Sequence, residues 1–250
     1  MARLKNKDKA NADFAKVYER AFKKHRRELE RLLGTPPNLA NVPEDFWQRI
    51  RQEIEEESAV MIYLLFLASA TQDHDRIAPG LTVEVAEPLA TDFARQRAQT
   101  LAGQFIDASR KKLGKFDGSG IVDGQEVTRE AVKDATETVF GESRAERMGV
   151  TEATEAATKG GDTWKRETEQ REGRRIIAYW AHSGYRPRGH ANATVDPCTI
   201  CSPLEGRKLD DLPPQFQTGP PGHPICDCFI KYRFEDVQRT NPDKQEEGYI

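Results

Sequence analysis

A chain of 250 residues has room for one large domain or two small ones and can bury a genuine core. With 37% hydrophobic and 32% charged residues and a mean hydropathy of −0.75, much of it must be solvated surface, which suits long helices better than a compact α/β enzyme. The formal charge of −3 excludes a uniformly basic nucleic-acid binder and leaves only local patches to argue from.

The chain does not open on a basic segment followed by an apolar one, so no signal peptide is expected. The longest apolar run, Ala59 to Ala70, falls short of the roughly 20 residues that cross a bilayer. A soluble, non-exported protein with no membrane partner is the expectation.

From Asn6 to Leu33, apolar residues at Phe14, Val17, Ala21, Leu29 and Leu32 keep helical spacing, and Gly34 with Pro36 and Pro37 supplies a stop. This segment is also the strongest charge signal. Residues 1 to 31 hold eleven Lys or Arg against five acids, a net +6. Lys5, Lys7, Lys9, Lys23, Lys24, Arg26 and Arg27 are the candidate contacts to DNA or an acidic protein, with a solvated helix face as the plain alternative. A second helix is predicted from Pro43, with Glu44 and Asp45 beside the positive end of its dipole, through the Ala59 to Ala70 run, which reads as buried on most sides. Pro79 and Gly80 interrupt before a third helix from Glu84 to Leu113. Lys115 to Gly124 reads as a turn-rich linker or short hairpin, and helices follow over Thr128 to Phe140 and Ser143 to Gly160. A charged stretch from Trp164 to Arg175 precedes Ile176 to Trp180, the best strand candidate, being short, β-branched and aromatic.

All four cysteines lie between Cys198 and Cys228, where Gly and Pro are also dense. Cys198-x2-Cys201 presents two thiolates to one tetrahedral zinc, because a tight turn lets both sulfurs converge at about 2.3 Å from the ion. The second half, His223-x2-Cys226-x-Cys228, is flanked by Pro220, Pro221 and Pro224; on a strand, Cys226 and Cys228 would share a face. Five candidate ligands thus compete for four places in a closed structural zinc site, and two disulfides or unconnected buried thiols are the alternative. The expected fold class is α+β: an extended, mainly helical N-terminal part, then a small zinc-stabilised, loop-rich C-terminal module with short strands. Boundaries fall at 1–40 for the basic helix, 41–140 for the helical region, 141–234 for a C-terminal domain whose zinc module begins near 176, and 235–250 for a tail.

These features resemble the Mu F-like head morphogenesis proteins of tailed bacteriophages, the minor head or minor capsid proteins. The likeness rests on Cys198-Thr199-Ile200-Cys201, then Leu204-Glu205-Gly206, then Pro220-Pro221-Gly222-His223-Pro224-Ile225-Cys226-Asp227-Cys228. Upstream it includes Ser143-Arg144-Ala145, Thr151-Glu152 and Trp180 in the strand before the cysteines. More loosely it includes Pro43 to Trp47 and Phe93 to Phe105. Asp227 departs from it, standing where the family usually has Arg. The resemblance implies a non-enzymatic virion component, made in the host cytoplasm and placed in the head, that meets the portal, other head proteins and packaged DNA. It gives Arg144, Thr151, Glu152 and Trp180 the status of motif residues without a known role.

Each has a plainer reading too. Glu152 is expected to pair with Arg144 or Arg147, and Trp180, with Tyr179, to be core rather than a base-stacking surface. The competing function is a zinc-containing nucleic-acid-processing enzyme or a toxin-like effector carried in the head, for which His182, His190 and Asn192 would be the residues to examine. No Ser/His/Asp set, phosphate-binding Gly loop or HExxH supports an enzyme. Removal of residues 1–33 is expected to leave a folded protein, and the two parts to separate at the Gly- and Asp-rich linker or in the Trp164 to Arg175 stretch.

Overall fold

The computed structural model describes residues 7–74, 77–181, 199–222, 226 and 228–235. Lys5, His182, His190, Asn192, Cys198, His223, Asp227 and the tail beyond Glu235 lie outside them.

Five helices form the larger part: α1 (Lys7–Leu33), α2 (Glu44–Thr71), α3 (Val83–Leu113), α4 (Arg129–Phe140) and α5 (Glu142–Glu172). Their ends follow from local chemistry. Gly34, at a φ of +77°, takes the left-handed conformation that closes α1. Extended Pro43 precedes α2, whose first turn carries Glu44 and Asp45. The Thr128 side chain caps α4 by accepting from the Ala131 amide. Between α3 and α4 a two-residue turn, Asp123 and Gly124, both at positive φ, joins β1 (Ile121–Val122) to β2 (Gln125–Glu126), so the Gly- and Asp-rich segment is a hairpin.

α2 packs along α3, and α5 lies against both α1 and α2. The main core draws on all five helices, with Phe22 stacked on Phe105 at 4.9 Å and edge-on to Phe140 at 5.6 Å. α1 is amphipathic: Phe14, Tyr18, Phe22, Leu29 and Leu33 are wholly buried, because its apolar stripe faces α5 and α4, while Lys23, Lys24 and Arg27 lie on its solvated face. One expectation about this region is corrected. The Ala59 to Ala70 run is one-sided, with Val60 58% and Leu64 52% exposed on the face of α2 turned from the core. Among the described residues no helix is long and apolar enough to cross a membrane.

A second correction concerns α5, which continues past Gly160 to Glu172 and ends at Gly173 in the left-handed conformation. The charged stretch is therefore mostly helix. Trp164 is fully buried within it, donating its indole N–H to the Pro79 carbonyl at 3.0 Å, so this stretch is a packed joint. β3 (Ile176–Ala181) then pairs antiparallel with β4 (Phe229–Phe234), Ile176 opposite Phe234 and Ala181 opposite Phe229. Tyr232 and Phe234 of β4 join Phe66, Ala70, Leu81 and Trp164 in a second core that ties this ladder to α2, α3 and α5. The mixed α+β character is present: a predominantly helical body with short antiparallel strands.

Candidate metal centre

The ladder of β3 and β4 carries a third, small core made of Trp180, Cys201, Leu204, Leu209, Leu212, Cys226 and Cys228. Among the described residues between the strands, the chain holds three single turns of 3-10 helix, Ser202–Leu204, Leu209–Asp211 and Pro214–Phe216. Such turns suit a Pro-rich segment that cannot sustain longer helices. Trp180 anchors the first of them to β3: its amide donates to the Arg207 carbonyl and its carbonyl accepts from Gly206, both at 2.9 Å. The cysteines are thereby delivered from two sides, Cys201 at the head of the first turn, and Cys226 and Cys228 on the approach to β4. The latter pair precedes the strand, which starts at Phe229, so strand alternation does not align the sulfurs.

All three thiols are buried and none is in a disulfide. Their sulfurs lie within 4.8 Å of one another, with Cys201 Sγ and Cys226 Sγ at 3.6 Å. Two ligands at about 2.3 Å on tetrahedral axes stand about 3.8 Å apart, so the trio has the spacing of three corners of a thiolate site. The charges are unevenly shared. Hydrogen bonds from Cys201 and Cys228 hold the Cys226 thiol far below its ordinary value. The same contact with Cys226, reinforced by burial, holds Cys201 far above it. A divalent cation at the centre is what allows three such neighbours to ionise together.

Trp180 supplies a second observation. Its ring is completely buried, and its indole N–H meets no oxygen or nitrogen acceptor among the described residues but lies beside Cys228. The Cys228 thiol feels a lowering contact from Cys201, outweighed by Cys226 and burial, which push it up to about 12; the Trp180 N–H is a smaller lowering contact. A dry N–H donor next to sulfur is what a metal-bound thiolate uses as outer support. The residues present therefore fit a metal ion of thiolate preference. Cys201, Cys226 and Cys228 would hold it; Cys198 and His223, the other two candidates, fall outside the described residues. Three thiolates fill three corners of a tetrahedral site, and the fourth corner falls to a group outside these three.

The remaining motif residues are placed elsewhere. Glu152, on α5, is buried and forms a bidentate pair with Arg97 of α3, Nε to Oε2 at 2.6 Å and Nη2 to Oε1 at 2.7 Å. Neither Arg144 nor Arg147 is its partner, which corrects the local pairing expected from sequence. Arg97 also reaches Glu155 at 2.9 Å. Burial raises the Glu152 pKa above its ordinary value, outweighing the hydrogen bond and charge of Arg97. Burial works against the charge on Arg97 too, but there the two carboxylates win and its pKa rises. Thr151 turns away, its hydroxyl donating to the Arg147 carbonyl at 2.7 Å one turn back. Arg144 lies at the start of α5, over the Phe105 ring at 4.1 Å. Trp180 is core, as expected, and Tyr179 is covered by Arg233 at 5.5 Å. In the basic segment, Lys7 and Lys9 fall at the start of α1. Lys23 and Arg27 are exposed, Lys24 lies 3.5 Å from Glu53, and Arg26 is engaged by Glu30 and Glu137. Arg97 is the residue sequence reasoning missed: its partner is 55 positions away, and no local spacing signals that.

Comparison with models of known families, with curated proteins and with solved structures gave no match.

Proposed function

We propose that this chain is a non-enzymatic minor head protein of a tailed phage, resembling the Mu F-like type. In it a structural zinc held by Cys201, Cys226 and Cys228, completed by Cys198 or His223, rigidifies the C-terminal module. The observation that carries the reading is the cysteine cluster. The two halves of the motif on which the resemblance rests, 25 residues apart at Cys201 and Cys226, meet in one buried group. Such a cluster stiffens a surface without performing chemistry, which is what a component assembled inside a procapsid requires. The partners on this reading are the portal, neighbouring head proteins and packaged DNA. The site of action is the host cytoplasm during assembly and the head thereafter.

Two measurements test it. Metal analysis of the full chain purified without added zinc should find about one equivalent, and Cys201→Ser should lose it, since metal binding in small zinc modules is coupled to folding worth about 10–16 kcal/mol. Mass spectrometry of purified virions and of DNA-free procapsids should find the protein in both. Its absence from both particles would overturn the head assignment, whatever the zinc content.

A further inference from the structure

The Ser143-Arg144-Ala145 segment is left unused by that reading, and it borders a cleft. The ends of α3 and α4 and the start of α5 enclose about 600 Å³, lined on the charged side by Lys112, Glu137, Arg144 and Arg147. Glu137 is already engaged from outside by Arg26. The three cations form no ion pair with any described carboxylate. Arg144 is half-buried and held by neutral acceptors: the Ser109 hydroxyl at 3.3 Å and the Val139 and Phe105 carbonyls at 3.2 and 3.4 Å. Burial and the charge of Arg147 one turn along bring its pKa down to about 10, the sign of a guanidinium that lacks a counter-charge. Two cations three residues apart on one helix face repel. Next to them begins α5, a helix of 31 residues whose first turn has no side-chain cap, so its amides and dipole add positive potential at the same place, opposed by Glu142 in that turn.

We propose that this cleft binds the phosphodiester backbone of a nucleic acid, with Arg144 and Arg147 of α5 and Lys112 of α3 as phosphate ligands. A chain of phosphates is favoured over a single one by what lies along α4. Its first turns border a second cleft, about 910 Å³, lined by Arg27, Arg31, Arg129 and Lys133 with only Glu30 and Glu130 opposing them. The lining of each cleft carries a net +2 in a chain whose formal charge is −3, so positive charge is gathered beside the two ends of α4, although α4 itself sets Glu130, Asp134 and Glu137 against Arg129 and Lys133. A backbone long enough to reach from one cleft to the other would meet both sets of cations, which a single phosphate would not. The assignment does not depend on the head-protein reading, because it rests on this charge distribution whatever assembly the chain joins.

The test is fluorescence anisotropy with the full chain, a labelled DNA oligonucleotide of about a dozen nucleotides and unlabelled competitors, over a salt series beginning near 50 mM. The double variant Lys112→Glu/Arg147→Glu changes exposed side chains only. Arg51→Glu/Arg95→Glu, on α2 and α3 and lining neither cleft, makes the same change in net charge. Circular dichroism checks that both remain folded. The parent chain should bind, the cleft variant should bind at least about tenfold more weakly with a slope of log K against log salt smaller by about 1.4, and the control should keep both values. No binding near 50 mM salt, or equal weakening in the two variants, overturns the proposal. Competition by inorganic phosphate or a mononucleotide at the oligonucleotide's own concentration would also overturn it, by showing a site for one free phosphate.

Discussion

Glu152 shows how one buried side chain carries two opposed demands. It is 2% exposed, its two oxygens are satisfied by Arg97, and burial still raises its pKa. Truncation and neutralisation should therefore separate. Glu152→Ala leaves Arg97 with one carboxylate fewer and a void between α3 and α5, a loss of about 3–5 kcal/mol for a broken buried pair. Glu152→Gln retains a hydrogen-bond acceptor and removes the cost of burying the charge, so it should lose much less. The pH dependence has a definite sign. A carboxyl whose pKa is raised on folding contributes stability that is fully present below the unfolded value and lost as pH rises through the folded value. The stability of the parent chain relative to Glu152→Gln should thus decline as pH climbs from about 4.5. Urea unfolding of the three proteins across that range measures all of this, and an alanine variant as stable as the glutamine one would contradict it.

At the level of elements, the helix boundaries that glycine and proline mark locally are readable in the sequence, and those set by contacts are not. Gly34 ends α1 because the chain itself must turn there. Gly160 and Gly161 look like the same signal and are the reverse. A Cβ at Gly160 would run into the Phe66 carbonyl and lie 2.9 Å from Ser69 Cβ, and one at Gly161 would lie 2.7 Å from the Tyr232 hydroxyl. These glycines let α2 and β4 approach a continuous α5, an approach sealed by the Ser69 hydroxyl donating to the Ala157 carbonyl at 2.6 Å. The meeting of Cys201 with Cys226 and Cys228 was legible, although they stand 25 residues apart, because buried thiols of one small module have few other partners, whereas Arg97 with Glu152 is a tertiary pairing that helical periodicity cannot assign. Gly160→Ala decides the point energetically. Alanine gains about 1 kcal/mol of helix propensity over glycine, while forcing a methyl against backbone costs about 1–3 kcal/mol or more. Net destabilisation in a thermal melt is expected; a rise in melting temperature would mean that α2 and α5 have room to spare.

At the scale of the molecule, three cores are arranged in series, and their order predicts which parts fail together. α1 contributes Phe14, Tyr18, Phe22, Leu29 and Leu33 to the first core. Burying each such side chain is worth about 1.5–3 kcal/mol, so their removal rivals the whole ~5–15 kcal/mol stability of a typical protein. Deleting residues 1–33 should therefore give a protein that aggregates or loses cooperative unfolding, contrary to the expectation from its charge, and gel filtration with circular dichroism would show it.

The second core is the joint, and it makes loss of metal a graded event. At one end of the ladder Ile176 and Phe234 belong to the helical side, with Tyr232 against Trp164 at 5.2 Å and His74 stacked on Trp164 at 3.7 Å. At the other end Trp180 and Ile230 belong to the cysteine core, which has few apolar side chains beyond Leu204, Leu209 and Leu212 to hold it. A core that small depends on its cross-link. Chelation, or Cys201→Ser, should therefore abolish amide protection around Ala181 and through Leu204 to Leu212. Protection at Ile176 and Phe234 and along α1 to α5 should persist, because apolar contacts that involve no thiolate maintain it. Hydrogen exchange with and without chelator reads this residue by residue. Uniform loss along the whole ladder would mean that the joint is held by the metal rather than by Tyr232 and Trp164, and uniform retention would mean that the three thiols need no ion.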